Sequence, residues 1–580
     1  LVVALLPFVC FSAATESFRL PKRAFAGLFL SFAAALAVAE LLRRVPLREL
    51  YGLWRNRTVL AFSALLTAIL FSTALSTRPD ISTALLFRAL PFLAFLPLAA
   101  ALGRIERFDR KVENLLLATG LVTALVAIAQ ATRIWNPIDF AVQGELEMRG
   151  AVIGWIGDPG TLGLFLVFPF LVALDRAFAG SRWSYLVAAL ALGGIAASAT
   201  LTAVAAALFG ALLLLVTRGR HLIASPLARR IAATLVILVL TGLFVTPPVR
   251  KRILEKGRAL AGANLDRLLT RRLAGWSAAA TMFRERPVAG WGFGTYASRY
   301  YPTRLEALRR DPSLRQRQTQ TMHFGEAHNE PLQSLAEMGL AGALPIFAVA
   351  GAILILAIRR RKEAPLEFAA LGASAVAALF QFPLQTVVTS VPILLFAGRA
   401  LREPSEESAP GTLPRPLGGR EIAMVAACLL VAIGVGLRGI RELIGSTKQT
   451  AAVAIATEAA GMSSAVAGPA LRKALFLAES ALRDSPTDAG AANAIGGCLM
   501  VMGDRDGAEK AWRRASEIEP RAEFDLRVAR CLWEKGERDE SFRLFSNVLA
   551  YDEAAWKGVE PIPLDQTRAW EREQARSPRP

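Results

Sequence analysis

Cysteine and histidine are scarce in this chain of 580 residues: Cys10, Cys428, Cys498 and Cys531, with His221, His323 and His328. No two cysteines form a CxxC pair, which excludes a disulfide scaffold and a zinc ribbon, and three histidines are too few for a multi-histidine cage. No metal or cofactor is therefore expected. Charged residues make up only 20% of the chain. Residues 1–14 lack a basic leader, so no cleavable signal peptide is expected and they read as a first span, with the chain opening at Leu1. What is abundant is apolar: 54% of residues are hydrophobic, against about 45–50% in soluble domains, and the excess is gathered into long runs. A polytopic membrane protein follows.

A hydrocarbon core about 30 Å thick needs about 20 helical residues. By that measure spans are expected at 1–15, 24–42, 59–76, 83–102, 114–133, 160–174, 184–199, 201–217, 231–247, 340–358, 366–383, 385–399 and 422–439. The net charge of +19 could suggest nucleic acid, but most Lys and Arg lie between apolar runs, so no nucleic-acid partner is expected. Four basic loops, containing Arg43 to Arg57, Arg104 to Lys111, Arg218 to Arg230 and Arg359 to Lys362, fall on one side by parity and mark it as cytoplasmic. Arg19, Lys22 and Arg23 disobey and land outside. Two outer segments are long enough for chemistry, 134–159 and 248–339. Residues 248–330 hold sixteen basic against seven acidic residues, a surface suited either to anionic headgroups or to a pyrophosphorylated substrate gripped by arginine forks.

Residues 400–421 are rich in Pro, Gly and Ser and read as a cytoplasmic linker before the last span. Beyond residue 450 the composition becomes that of amphipathic soluble helix. A repeat of about 34 residues, the two units lying 33 apart, places Gly496, Leu499, Ala508, Trp512, Ala515 and Pro520 in one unit and Ala529, Leu532, Ser541, Phe545 and Val548 at equivalent places in the next. The pattern resembles tetratricopeptide (TPR) repeats, giving a TPR-like domain over 450–556 and a disordered tail over 557–580. Such a stack provides a groove for a protein partner, or a packing module for the membrane part. Cys498 and Cys531 fall at equivalent positions and read as buried small apolar residues.

The chemistry concentrates in TMHFGEAHNEPLQSLAEMGLAGALPIF, residues 321–347. His328 and Asn329 precede Gly339 and Gly342, with Glu337 just before the glycines. Upstream lie MRGAVIGWIGDPGTLGLFL, residues 148–166, with Arg149, and RRLAGWSAAATMFRERPVAGWGFGTY, residues 271–296, with Arg272 and Trp276. Together these resemble the O-antigen ligase and O-antigen polymerase superfamily of membrane glycosyltransferases, over residues 20–400. Asp158 stands where that family more often has Asn, and the segment Ser198 to Thr202 lacks the family's arginine.

The resemblance implies an all-α membrane bundle of about 12–13 spans, similar to the lipid-dependent GT-C group. It also implies an inverting transfer from an undecaprenyl-pyrophosphate-linked glycan donor at the periplasmic face of a bacterial inner membrane. Residues 1–399 would form the enzyme, and the acceptor would be lipid A-core, another glycan or a protein. Arg149 and Arg272, with Arg271 a weaker candidate, would hold the pyrophosphate. His328, whose ordinary pKa is near 6.5, suits the base that deprotonates the acceptor. Glu326, Glu330 or Glu337 are open as partners of its imidazole, and Asn329 either meets sugar hydroxyls or caps the helix begun by Pro331. Gly339 and Gly342 also fit close helix packing. A polymerase and a protein O-oligosaccharyltransferase compete within the class, and a polysaccharide transporter or assembly scaffold outside it. The run GWGFGTY lacks the flanking strand of a nucleotide loop, and Asp158-Pro159-Gly160 is most simply a helix entry.

Overall fold

The computed structural model describes residues 2–44, 56–102, 107–136, 152–218, 247–269, 271–318, 323–402, 416–462, 464–552 and 562–576. Among these the chain forms twenty-three α-helices and no strand. Eight are long and apolar enough to cross a bilayer: Arg19–Arg44, Arg57–Ala74, Pro79–Leu102, Phe108–Ala131, Pro159–Phe178, Leu201–Arg218, Glu330–Arg359 and Gly419–Ala459. Three shorter apolar helices, Arg182–Ala197, Pro365–Phe380 and Val387–Leu401, complete the bundle. The protein is thus a multi-pass helical membrane protein. The expected span at 231–247 lies, except for its last residue, outside the described residues, as do Arg149 and His221.

The expected first span does not form. Val2–Leu5 and a 3-10 turn at Leu6–Phe8 are all the helix it contains. Pro7 cannot donate to an α-helical ladder, and the chain then turns back, with Phe11 N donating to Ser17 O at 2.8 Å. A four-residue helix spans about 6 Å, far short of the bilayer. The last span differs in the other direction. It was expected to end at residue 439, yet the helix runs unbroken from Gly419 to Ala459, and at 1.5 Å per residue its 41 residues reach about 60 Å, well past a membrane.

The Pro159–Phe178 helix is the centre of the bundle. It is apolar on every side, and residues 161–173 are buried without a gap, as a helix enclosed by other helices must be. Outward positions such as Leu36, Val216 and Leu430 are instead exposed, which suits contact with lipid.

The two ends of the bundle differ in chemistry. At one end Arg399 meets Glu367 at 2.7 Å and Glu113 at 3.0 Å, Arg402 meets Asp109 at 2.9 Å, and Arg176 meets Glu113 at 3.1 Å. At the other end the turns around residues 77, 158, 200, 291, 328 and 381 gather. Here Thr77 N donates to Trp291 O at 3.0 Å and Thr200 Oγ1 to Pro159 O at 3.0 Å. A small subdomain caps this end. In it Tyr296, Tyr300 and Tyr301 are buried against Ala278, Met282 and Ala327.

The C-terminal helices pack as successive hairpins, Ala489–Val501 with Arg505–Ile518 and Ala522–Lys535 with Arg538–Tyr551. Gly496 leaves room for the Trp512 ring, whose Nε1 donates to Asn493 Oδ1 at 3.0 Å. Cys498 and Cys531 are both buried and unbridged. The hairpins fold back onto the cap: His323 Nε2 lies 2.7 Å from Glu519 Oε1, Tyr301 donates to Asp525 Oδ2 at 2.8 Å, and Arg315 donates to Ala550 O at 2.7 Å.

Arg399 is only 10% exposed and ties three helices through Glu367, Glu113 and, at 3.8 Å, Asp109. Arg399→Met leaves buried Glu367 without this cation, while Glu113 keeps Arg176, and is expected to lower stability by about 3 kcal/mol. Arg361→Ala, at an exposed position, should change it by less than about 0.5 kcal/mol. Thermal unfolding of the detergent-solubilised protein compares the two.

Candidate active site

The site begins where a loop becomes a helix. Asn329 is the N-cap of Glu330–Arg359: its side-chain oxygen accepts from Leu332 N at 2.9 Å, and Pro331 fills an early position that needs no donor. Its Nδ2 donates to Leu379 O at 2.9 Å, so the amide caps its own helix and ties it to the next. Glu330 makes a second tie, accepting from Leu384 N at 2.9 Å. The preceding residue, His328, has φ of +55°, a left-handed conformation that costs a non-glycine residue energy and persists only where surrounding contacts enforce it.

Those contacts are visible. Trp276 Nε1 donates to His328 O at 3.4 Å, and Ala327 N donates to Gln333 Oε1 at 2.9 Å. The imidazole stands edge-on between Phe382, at 4.8 Å between ring centres, and Phe324, at 5.8 Å. Its Nδ1 lies 3.0 Å from Gln381 Oε1. An amide oxygen accepts, so Nδ1 carries the proton and Nε2 keeps its lone pair. None of Glu326, Glu330 and Glu337 takes this role. Gln381 takes it, and Gln381 in turn abuts the helix entry at Gly160, where a Cβ would come within 3.1 Å of its Nε2. Asp158 caps that helix through Thr161 N at 2.6 Å.

Charge gathers around the ring. Arg272, half-buried at the start of Leu273–Glu285, has no hydrogen bond or ion pair from its guanidinium among the described residues. Burial pushes its pKa down to about 10, opposed by the nearby charge of Asp158. His328 is likewise held below its ordinary value. Burial does most of this and the Arg272 charge adds to it, against the Gln381 bond and the carboxylates of Glu326 and Asp158. Arg19 reaches the same place from the first long helix. Its Nη2 donates to Glu326 Oε1 at 2.9 Å, and its guanidinium lies 5.5 Å from the Phe382 ring centre. The arrangement offers an imidazole held below its ordinary pKa, near an arginine that has no anion among the described residues.

The remaining expected residues act on the frame. Glu337 is buried and its carboxylate accepts from Gly294 N at 2.7 Å, Tyr296 N at 3.2 Å and Gln333 Nε2 at 3.0 Å. It therefore holds the Tyr296–Arg310 helix start and, through Gln333, the backbone just before His328. Gly339 has φ of +58° and ψ of −168°, and any Cβ there would lie 2.3 Å from Val288 O; at Gly290 the clash would be with Glu337 O, also at 2.3 Å. The two backbones touch because neither has a side chain, and Leu340 N and Ala341 N donate to Pro287 O and Val288 O across the contact. Gly342 faces Ala68 O of the neighbouring helix. Arg271 is exposed with φ of +61°.

Sequence reasoning passed over Arg19, Gln381 and Phe382. Two signals pointed to them: Arg19 belongs to the short basic cluster on the wrong side of the charge rule, and Gln381 is a lone amide inside an apolar stretch, where polar side chains tend to be functional.

Residues 186–347 match the family model described as O-antigen ligase. The match takes in Arg272, Trp276, His328, Asn329, Glu337, Gly339 and Gly342, and it supports an enzyme of the O-antigen ligase superfamily. No curated protein matches the chain.

Gly339→Ala is expected to cost about 2–3 kcal/mol through backbone strain and the clash with Val288 O. Gly351→Ala, where a Cβ meets nothing within 4 Å in the same helix, should be neutral or slightly stabilising. Thermal unfolding of both variants tests the contact.

Proposed function

We propose that the protein is a membrane glycosyltransferase of the O-antigen ligase type, moving an oligo- or polysaccharide from undecaprenyl pyrophosphate to an acceptor hydroxyl. The observation that carries this reading is the Arg272 guanidinium, without an ion pair among the described residues, near a histidine whose Nδ1 faces the Gln381 oxygen, which leaves Nε2 to take a proton. In the proposed step the acceptor oxygen attacks the anomeric carbon from the face opposite the leaving group. The bond from that carbon to the pyrophosphate oxygen breaks, the electron pair leaves with the lipid pyrophosphate, and the acceptor proton goes to His328 Nε2. The anomeric centre inverts. Arg272, with Arg149 as its expected partner, meets the charge that grows on the leaving group, where electrostatic stabilisation has most effect on rate.

The same reading puts the His328 end of the bundle in the periplasm of a bacterial inner membrane, because the basic helix ends at Arg43, Arg57, Arg107, Arg218 and Arg359 belong to the other end. Residues 1–399 form the transferase, with 134–159 and 248–339 on the outer face. The segment 400–421 is a cytoplasmic linker before the last span, and the helical hairpins over 450–556 form a TPR-like module on the acceptor side. Lipid A-core is the proposed acceptor. A growing glycan, which would make the enzyme a polymerase, or a protein substrate are its competitors.

His328→Ala is expected to reduce transfer by about 10²–10⁴-fold, and Arg272→Gln by about 10²–10³-fold, at matched membrane expression. Glycan analysis of the envelope reads the outcome. Long lipid-linked chains that never reach lipid A-core support a ligase, accumulated single lipid-linked repeats indicate a polymerase, and unchanged glycans sink the assignment of His328.

The neutral imidazole is the active base, so activity should fall as pH drops through the His328 pKa. Since that pKa lies below 6.5, the acid limb of the transfer rate is expected below pH 6.5. Removing the Arg272 charge, one of the causes of the depression, should move the limb of the residual Arg272→Gln activity upward. A limb that stays put in this variant would place the titrating group elsewhere.

A further inference from the structure

Arg19 and Arg23 stand four residues apart on one helix, which puts them on the same face with Arg23 about 6 Å further into the bundle. Arg19 is paired with Glu326. Arg23 is half-buried and has no hydrogen bond or ion pair among the described residues. It lines instead a cleft, open to the outside, between the Arg19–Arg44, Pro79–Leu102 and Gly419–Ala459 helices, shared with Arg88, Arg438 and Glu442.

The charges in this cleft do not balance. Arg88 Nη2 lies 3.0 Å from Glu442 Oε1, and Arg438 Nε lies 3.2 Å from the same oxygen. One carboxylate, 6% exposed, thus serves two guanidiniums, and among the described residues a third has none. The charged residues nearest Arg23 outside the cleft are Glu16, which makes no ion pair with it, and Arg19, which is already engaged. Three cations against one anion within helices that cross a membrane is a costly arrangement unless an anion joins them.

The cleft has an apolar side too. Gly27, one turn beyond Arg23, carries no side chain, and a Cβ on it would be 3.7 Å from the nearest atom, Val435 Cγ1. Phe87 and Ala24 complete that wall. Arginines beside an uncharged wall in one cleft are the complement of a lipid whose headgroup bears phosphate.

We propose that this cleft binds the phosphate or pyrophosphate group of a membrane lipid, with Arg23 as its main contact and Arg88 and Arg438 beside it. The source is either a structural phospholipid or the lipid pyrophosphate carrier on its way to or from the site one helical turn away. The inference does not depend on the transfer reaction, because lipid binding is read without turnover.

The test is native mass spectrometry of the full-length protein, delipidated in detergent and titrated separately with phosphatidylglycerol, undecaprenyl pyrophosphate and the uncharged diacylglycerol. Binding is measured in an Arg272→Gln background, which removes the catalytic arginine from the result. At least one phosphate-bearing lipid should be retained over diacylglycerol, and adding R23Q with R438Q should weaken it by about tenfold or more, as loss of charge-assisted bonds predicts. Both variants leave the Arg88–Glu442 pair in place, and R23K should recover part of the loss. Retention of phosphatidylglycerol identifies a structural lipid site, and retention of undecaprenyl pyrophosphate alone puts the cleft on the carrier's route. Equal retention with and without R23Q and R438Q, or no preference over diacylglycerol, overturns the proposal.

Discussion

The backbone contact between Gly290 and Gly339 is the constraint on which the capped end of this bundle depends. A helix in a membrane satisfies its own hydrogen bonds and offers nothing to a neighbouring loop. At Gly339 the helix departs from helical geometry, which frees Leu340 N and Ala341 N to bond Pro287 O and Val288 O, while Gly292 N reaches Glu337 O at 2.7 Å. The loop is thereby joined to the long helix through backbone on both sides. Glu337 then extends the joint, its carboxylate taking two backbone N–H groups of the following turn. Since the same helix starts with the Asn329 cap, the position of His328 relative to Arg272 is set by bonds that involve no substrate.

The polarity of the bundle follows from how each end handles arginine. At the end away from His328, Arg399, Arg402, Arg176 and Arg218 all pair with carboxylates of neighbouring helices. Toward the His328 end Arg19 pairs with Glu326, but other arginines are left wholly or partly uncompensated among the described residues. Among the described residues Arg272 and Arg23 have no anion, and Arg88 and Arg438 share one. Lys22 is different again. It is buried, and its ammonium donates to Val9 O at 2.6 Å and Trp155 O at 2.8 Å. That clamp holds the N-terminal segment against the turn leading to Asp158. The basic triplet that breaks the charge rule therefore has three separate employments: Arg19 at the imidazole cage, Lys22 in the frame and Arg23 in the cleft.

The all-helical class and most of the spans were legible because a long apolar run has one physical outcome in a membrane. The first span was misread because apolarity was weighed without Pro7, which ends the helix after two turns. The long final helix was misread because residues 440–459 are amphipathic, so hydropathy stops where the helix does not. Within the site, His328, Asn329 and the two glycines stood out through their spacing, and Asn329 resolved to the cap that Pro331 implied. Gln381 and Arg19 were illegible for a different reason: they lie 53 and 309 residues from His328, and only the closing of the bundle brings them to it. Spacing along one helix reports a face. It carries no information about which other helix will meet that face.

The same convergence explains why a histidine is tolerated among so many cations. A protonated imidazole beside Arg272, walled by two phenylalanine rings, would be repelled and poorly solvated, so the folded site holds it neutral. In the proposed transfer that condition lasts only until the donor arrives. A pyrophosphate bound to Arg272 cancels the repulsion and adds negative charge near Nε2, which makes the imidazole a stronger base when the acceptor proton must be taken. Linkage requires the converse as well: whatever raises the affinity of His328 for a proton must itself bind more tightly once the proton is there. A donor whose leaving group gains charge as its bond breaks would then be held hardest at the moment the proton has transferred, which is the differential binding on which catalysis rests.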